Sequence, residues 1–149
     1  MPEFWRLFKG TFTEIVIPTA VYEEVMKGKE TGSEDVPVIE SSIQEGWVKV
    51  HKAPPTTNLP DNLGRGEKEA ITLMLKERAD WLLMDDVVAS RTAKLMGVEV
   101  RPVVYLLIYW TRKGVVGERR AVELLDELVN TGYRLSAKDY LAIKEMILS

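Results

Sequence analysis

Four short strand-like runs, each too short to form a helix, are spaced along the chain with helical patterns between them, and this alternation limits the fold more than any other feature. The runs are Ile15-Val16-Ile17, Trp47 to Val50, Trp81 to Met84 and Val98 to Arg101. They are rich in β-branched and aromatic residues and are stopped by Pro18, Asp85-Asp86 and Pro102, as strands are. Strands separated by helices of about 10 to 15 residues imply right-handed βαβ units and a parallel sheet. The unbroken apolar run at Trp81 predicts a central strand covered on both faces. Trp47 to Val50 alternates and reads as an edge.

The helical patterns fall between these strands. Phe4, Leu7 and Phe8 are spaced for a short opening helix over Pro2 to Lys9, closed at Gly10. Pro18 suits the first turn of a second helix, which carries Val21, Tyr22 and Val25 inward and fades at Gly28. A third covers Glu34 to Glu45 with Pro37 near its start, and Gly64-Arg65-Gly66 opens a fourth bearing Ala70, Ile71, Met74 and Leu75 on one face. A fifth, with Val88, Thr92 and Leu95, leads to Gly97. The last third is helical: Val104 to Arg112, Glu118 to Asn130, and Ala137 to Leu148 with Ser136 as N-cap. Ala53 to Leu63, with Pro54, Pro55 and Pro60, is a surface connection. The pieces beside it are too small to stand alone, so the expectation is one domain over residues 1–149.

The 149 residues contain no cysteine, which removes disulfides and thiolate metal sites, and no apolar run approaches the length of a membrane span. A reducing, cytoplasmic location is expected, with no membrane contact. The formal net charge of −3 gives no overall attraction to nucleic acid. Contact with phosphates therefore has to come from local clusters such as Arg119 and Arg120.

In a parallel sheet, ligands sit outside the carboxyl ends of the strands. Three acidic positions fall on that rim: Glu24 on the helix after the first strand, Glu67 in the turn after Gly64-Arg65-Gly66, and Asp86, with its neighbour Asp85, closing the strand at Trp81. Hard divalent cations such as Mg²⁺ or Mn²⁺ take oxygen ligands of this kind. Each acid also has an ordinary explanation. Glu67 complements the positive end of its helix, Asp85 or Asp86 N-caps the next one, and Glu24 is solvated. Glu69 lies about 200° around the helix from Glu67 and reads as structural.

The order Ile17-Pro18-Thr19-Ala20-Val21-Tyr22-Glu23-Glu24-Val25, then Glu45-Gly46-Trp47-Val48-Lys49-Val50, then Gly64-Arg65-Gly66-Glu67-Lys68-Glu69-Ala70-Ile71, then Leu82-Leu83-Met84-Asp85-Asp86 resembles the PIN-domain family. More narrowly it is similar to the prokaryotic branch of nucleic-acid-binding PIN proteins related to VapC-type toxins. The resemblance covers nearly the whole chain, and Leu125 to Tyr133 fits its C-terminal pattern. It implies a three-layer α/β/α fold with a parallel sheet, and hydrolysis of RNA phosphodiesters with Mg²⁺ or Mn²⁺. It gives Glu24 the role of the family's helix glutamate, Glu67 that of the acid in the Gly-x-Gly-Glu helix, and Asp86 that of the acid ending the fourth family strand. Asp85 is the lesser candidate for that last role. RNA is the implied substrate, an antitoxin protein a candidate partner, and a homodimer the expected assembly.

One part of the family pattern is missing. A PIN domain opens with a strand that ends in a metal-binding aspartate, and the implied sheet order 3-2-1-4-5 puts that strand between the runs at Ile15 and Trp81. These 149 residues contain neither, and a fourth acid near Val100 to Val103 is also absent. The expectation is a weak nuclease, with the gap closed by direct pairing of its neighbours, by a strand from another subunit, or by a longer natural chain. A binding module that has lost hydrolysis is the alternative. A phosphoacceptor receiver domain is disfavoured because its acidic pair belongs after the first strand and no lysine follows Val98 to Arg101. His51 reads as an exposed surface residue, and Trp5, Trp47, Trp81 and Trp110 read as packing residues rather than a base-stacking platform. Leu141, Ile143, Met146 and Ile147 on the last helix are a candidate subunit interface.

Overall fold

A computed structural model describes residues 2–55 and 58–149. Thr56 and Thr57, inside the expected connection Ala53 to Leu63, lie outside the described residues. The elements in chain order are α1 (Pro2–Thr11), β1 (Ile15–Pro18), α2 (Thr19–Met26), a single 3₁₀ turn (Lys27–Lys29), α3 (Asp35–Glu45), β2 (Val48–His51), α4 (Arg65–Glu77), β3 (Leu82–Leu83), α5 (Val87–Leu95), β4 (Val100–Arg101), α6 (Tyr105–Arg112), α7 (Glu118–Asn130) and α8 (Ala137–Leu148). They fall into two compact units, Lys9–Arg101 and the first eight residues with Pro102–Ser149.

All pairing is parallel, as the βαβ pattern requires, but it forms two separate sheets. β1 pairs with β2 from Ile15 opposite Val48 to Pro18 opposite His51. β3 pairs with β4, Leu82 opposite Val100 and Leu83 opposite Arg101. Among the described residues no strand joins β1 to β3. The expected central strand over Trp81 to Met84 is therefore only two residues long and has one partner. Its ladder rests on Leu82 N–H to Glu99 O at 3.1 Å and Met84 N–H to Arg101 O at 3.0 Å. Direct pairing of the neighbours, one of the expected ways to close the gap, is not what the chain does. α4 packs against both β1 and β3 instead, and Phe12, ahead of β1, meets Trp81, ahead of β3, edge to face at 5.6 Å.

The core of the Lys9–Arg101 unit gathers Leu63 before α4, Ile71 on it, Leu82 and Met84 around β3, Ala89 and Ala93 on α5, and Val98 and Val100 around β4. The alanines bring α5 close to the sheet. Gly46 ends α3 with φ +88°, a left-handed conformation that a side chain would strain. Two surface ion pairs join neighbouring elements, Lys49 of β2 with Glu14 ahead of β1 and Lys9 of α1 with Glu45 of α3. Lys49 holds the Glu14 carboxyl below its ordinary value, and Lys9 does the same to Glu45.

The other unit is helical. Trp110, Leu106, Leu107, Leu124, Leu125 and Ile147 are fully buried there, and Phe4 stands edge-on to Trp110 at 5.1 Å. Ser136 caps α8 as expected, its hydroxyl accepting from Asp139 N–H at 3.1 Å. Tyr140 donates to Asp126, which raises the phenol's pKa. The expected interface on α8 needs correction at Ile147, which is 1% exposed and belongs to the core of its own unit, whereas Leu141 is 62% exposed. The helix turns one of these side chains in and the other out.

That contrast yields the first prediction. Ile147→Ala leaves a cavity and lowers the unfolding free energy by about 2–5 kcal/mol, while Leu141→Ala stays within about 0.5 kcal/mol. Urea denaturation followed by circular dichroism measures both, and equal losses would contradict the packing described.

Candidate functional site

The acids named from the sequence all lie in the Lys9–Arg101 unit, and the first turn of α4 is where two of them meet. α4 begins at Gly64, whose backbone is extended (φ −66°, ψ 161°) and has no side chain to cap the helix. Glu67 folds its carboxylate back over this residue, so a methyl group at Gly64 would collide with it. Glu24, on α2, reaches the same turn from the other side. A methyl group added to Gly66 would lie 3.8 Å from Glu24 Oε2 and 3.3 Å from Val21 Cγ2. Gly66 is thus where α2 and α4 approach, and each of the two glycines has a carboxylate beside it. Among the described residues neither Glu24 nor Glu67 has a hydrogen-bond or ion-pair partner.

α2 is held against α4 by another residue. Glu69 accepts the Ala20 N–H through Oε1 at 3.0 Å and Arg65 Nε through Oε2 at 2.9 Å. Arg65 then reaches Glu23 on α2 at 2.9 Å. Pro18, the residue before α2, offers no capping side chain, so the Glu69 carboxylate from α4 serves as the cap. Both carboxylates favour the charged guanidinium and push its pKa up, Glu69 most strongly. Glu69 is therefore structural, as its angle from Glu67 implied.

Asp86 stands at the N-terminus of α5 and accepts from Ala89 N–H at 2.8 Å. This is the ordinary N-cap that the sequence allowed, and it uses one of the two oxygens. Asp85 precedes it and is exposed. Among the described residues no three carboxylate or imidazole groups stand together as a ready cation site. The structure thus brings Glu24 and Glu67 to one turn, and places Asp86 at the end of a strand against which α4 packs.

Other readings sort themselves by contact. Arg120 is not a free phosphate contact: Glu3, Glu123 and Glu127 surround it at 2.6, 3.0 and 3.2 Å. Arg119 is 96% exposed on its side chain, 3.6 Å from Glu123. His51 is half-buried rather than exposed, its Nδ1 2.5 Å from Glu77 Oε1. Trp47 and Trp110 are buried in packing, while Trp5 and Trp81 are half-exposed with aromatic neighbours. The sequence reading did not single out Arg65 and Glu23. Their signal was an i,i+4 Arg–Glu pair on the Gly-rich turn, Arg65 with Glu69.

The order of acids, the Gly-x-Gly-Glu turn and the parallel strands find a counterpart among known families. The model of the DUF3368 family, described as a PIN domain, matches residues 4–147. The chain belongs to this PIN-domain family. No curated protein and no solved structure matches it. Membership places the chain in a superfamily of nucleases that act on nucleic acid and generally depend on divalent metals. Among the described residues no helix of this PIN domain is long and apolar enough to cross a membrane.

Two substitutions separate the cap from the candidate acids. Glu69→Ala removes the Ala20 cap and is expected to cost about 0.5–2 kcal/mol. Gly64→Ala keeps an ordinary φ and is expected to leave stability within about 1 kcal/mol while displacing the flexible Glu67 carboxylate. Thermal unfolding of the two variants measures this. A Gly64→Ala loss larger than that of Glu69→Ala would contradict the assignment.

Proposed function

We propose that this PIN domain is a metal-dependent ribonuclease of the toxin–antitoxin type that hydrolyses RNA phosphodiesters. The observation that carries the reading is the pair of unpartnered carboxylates, Glu24 and Glu67, at the two glycines of one turn. Carboxylates without a protein partner leave their oxygens available to a hard cation, and an all-oxygen donor set fits Mg²⁺ or Mn²⁺. In this reading Glu24, Glu67 and Asp86 hold the ion, with Asp85 as the secondary ligand at the end of β3. Bound there, the ion would supply an activated water and neutralise charge developing on phosphorus. Glu69 and Arg65 position the turn.

The aspartate that the family places after a first strand is not among these 149 residues. The unpaired edges of β1 and β3 support a place for that strand between the two sheets, which would complete the three-layer arrangement. Hydrolysis by the 149 residues alone is therefore weak, since loss of one acid lowers both cation affinity and water activation. The same edges and the exposed Leu141 and Met146 support a homodimer, and an antitoxin is the partner that the toxin branch implies. The cytoplasm is the compartment that fits a cysteine-free nuclease. The alternative is a binding module that keeps the fold without hydrolysis.

Cleavage of single-stranded RNA with Mn²⁺ tests the reading. The chain is expected to cleave slowly, and Glu67→Gln or Asp86→Asn to reduce the rate at least about 10-fold, an amount typical of losing a charge-stabilising group. Cleavage unaffected by both substitutions would refute the assignment. Complete inactivity of the unmodified chain with Mn²⁺ would favour the binding module.

A further inference from the structure

A second feature adjoins the α2–α4 junction. An open groove of about 890 Å³ begins where β1 and β2 end, between Thr19 and Lys52 on one side and Arg65 and Lys68 of α4 on the other. Its wall includes Ala53, Pro54 and Pro55, an apolar surface rigid at the prolines. The two acids that also line it, Glu23 and Glu69, are already committed to Arg65, each at 2.9 Å. Glu69 further accepts the Ala20 N–H. Neither lysine has a carboxylate partner among the described residues. The groove therefore presents two unpaired ammonium groups, from two different elements, beside a flat apolar wall.

Unpaired cations along a groove, alternating with surface on which flat apolar rings can lie, suit a polymer whose charges and bases alternate. We propose that this groove holds the backbone of single-stranded RNA, with Lys52 and Lys68 on successive phosphates and the Ala53-Pro54-Pro55 wall against sugars and bases. The choice of RNA rests on the ribonuclease reading. The groove itself rests on its own geometry. Lys52 and Lys68 are binding residues and take no part in hydrolysis. An acidic peptide would satisfy the lysines but leave the apolar wall unused.

Binding is measured without hydrolysis, by fluorescence anisotropy of a labelled oligouridine in EDTA, over a series of salt concentrations. The proteins are the unmodified chain, Lys52→Gln, Lys68→Gln, the double variant, and Lys138→Gln, at an exposed position on α8, as a surface-charge control. Each lysine variant is expected to flatten the slope of log affinity against log salt by about 0.7, and the double variant by about 1.4, as release of one counterion per contact requires for a single strand. Lys138→Gln leaves the slope unchanged. A double variant with the slope of the unmodified chain would overturn the proposal, as would absence of RNA binding by the unmodified chain. Displacement of the oligouridine by polyglutamate at equal charge concentration would overturn it in favour of an acidic peptide. Cleavage is absent from this measurement, so its failure is separable from failure of the nuclease reading: Glu67→Gln is expected to bind the oligouridine with the unchanged slope.

Discussion

The Glu69 carboxylate is the contact on which the arrangement of the candidate site depends. α2 starts directly after Pro18, so its first N–H groups have no side chain of their own to satisfy them. Glu69 supplies the missing acceptor from another helix and, through its second oxygen, holds Arg65, which reaches back to Glu23 on α2. The side chain of Glu69 is only 13% exposed, so these charge-assisted bonds are less screened than ordinary surface pairs. Their effect is to fix α2 against the first turn of α4. Glu24 then stands at Gly66 and Glu67 over Gly64, where any added side chain would displace the Glu67 carboxylate.

The two sheets express a second constraint. A parallel strand gains its hydrogen bonds from neighbours, and β1 and β3 each have one. β3 and β4 shrink to two residues apiece, although the sequence at β3 carries the four-residue apolar run Trp81 to Met84. α4 covers both sheets and Phe12 meets Trp81, which keeps the unit compact without a continuous ladder. The same unpaired edges are where a further strand has hydrogen-bonding groups to meet.

The helices were legible in the sequence because their signals are local. Ser136 caps α8, Gly46 closes α3, and Gly64-Arg65-Gly66 opens α4, each by chemistry contained within a few residues. Strand existence was equally legible, but strand extent was not: the run Trp81 to Met84 has the composition of a central strand, and only the number of partners decides how much of it pairs. The role of Glu69 was half legible. Its angle from Glu67 separated it from the candidate acids, yet its bond to Ala20, 49 positions away, depends on how the helices pack. Arg120 was misread for the same reason, since Glu3, its partner at 2.6 Å, lies 117 positions earlier. His51 likewise acquired Glu77 as a neighbour that spacing does not reveal.

The central proposal is that Glu24 and Glu67, at the turn opening α4, take up one cation together with Asp86 from the N-terminus of α5. Paramagnetic broadening by Mn²⁺ tests it without any need for catalysis. In a ¹⁵N-labelled sample titrated with substoichiometric Mn²⁺, the account predicts that amide signals of Gly64 to Lys68, of Glu24 and its neighbours, and of Asp85 to Val87 broaden first and together, and that Glu67→Gln weakens all three sets at once. Broadening confined to other acidic surfaces, such as Glu123 and Glu127 on α7, or three sets that respond independently to Glu67→Gln, would contradict it.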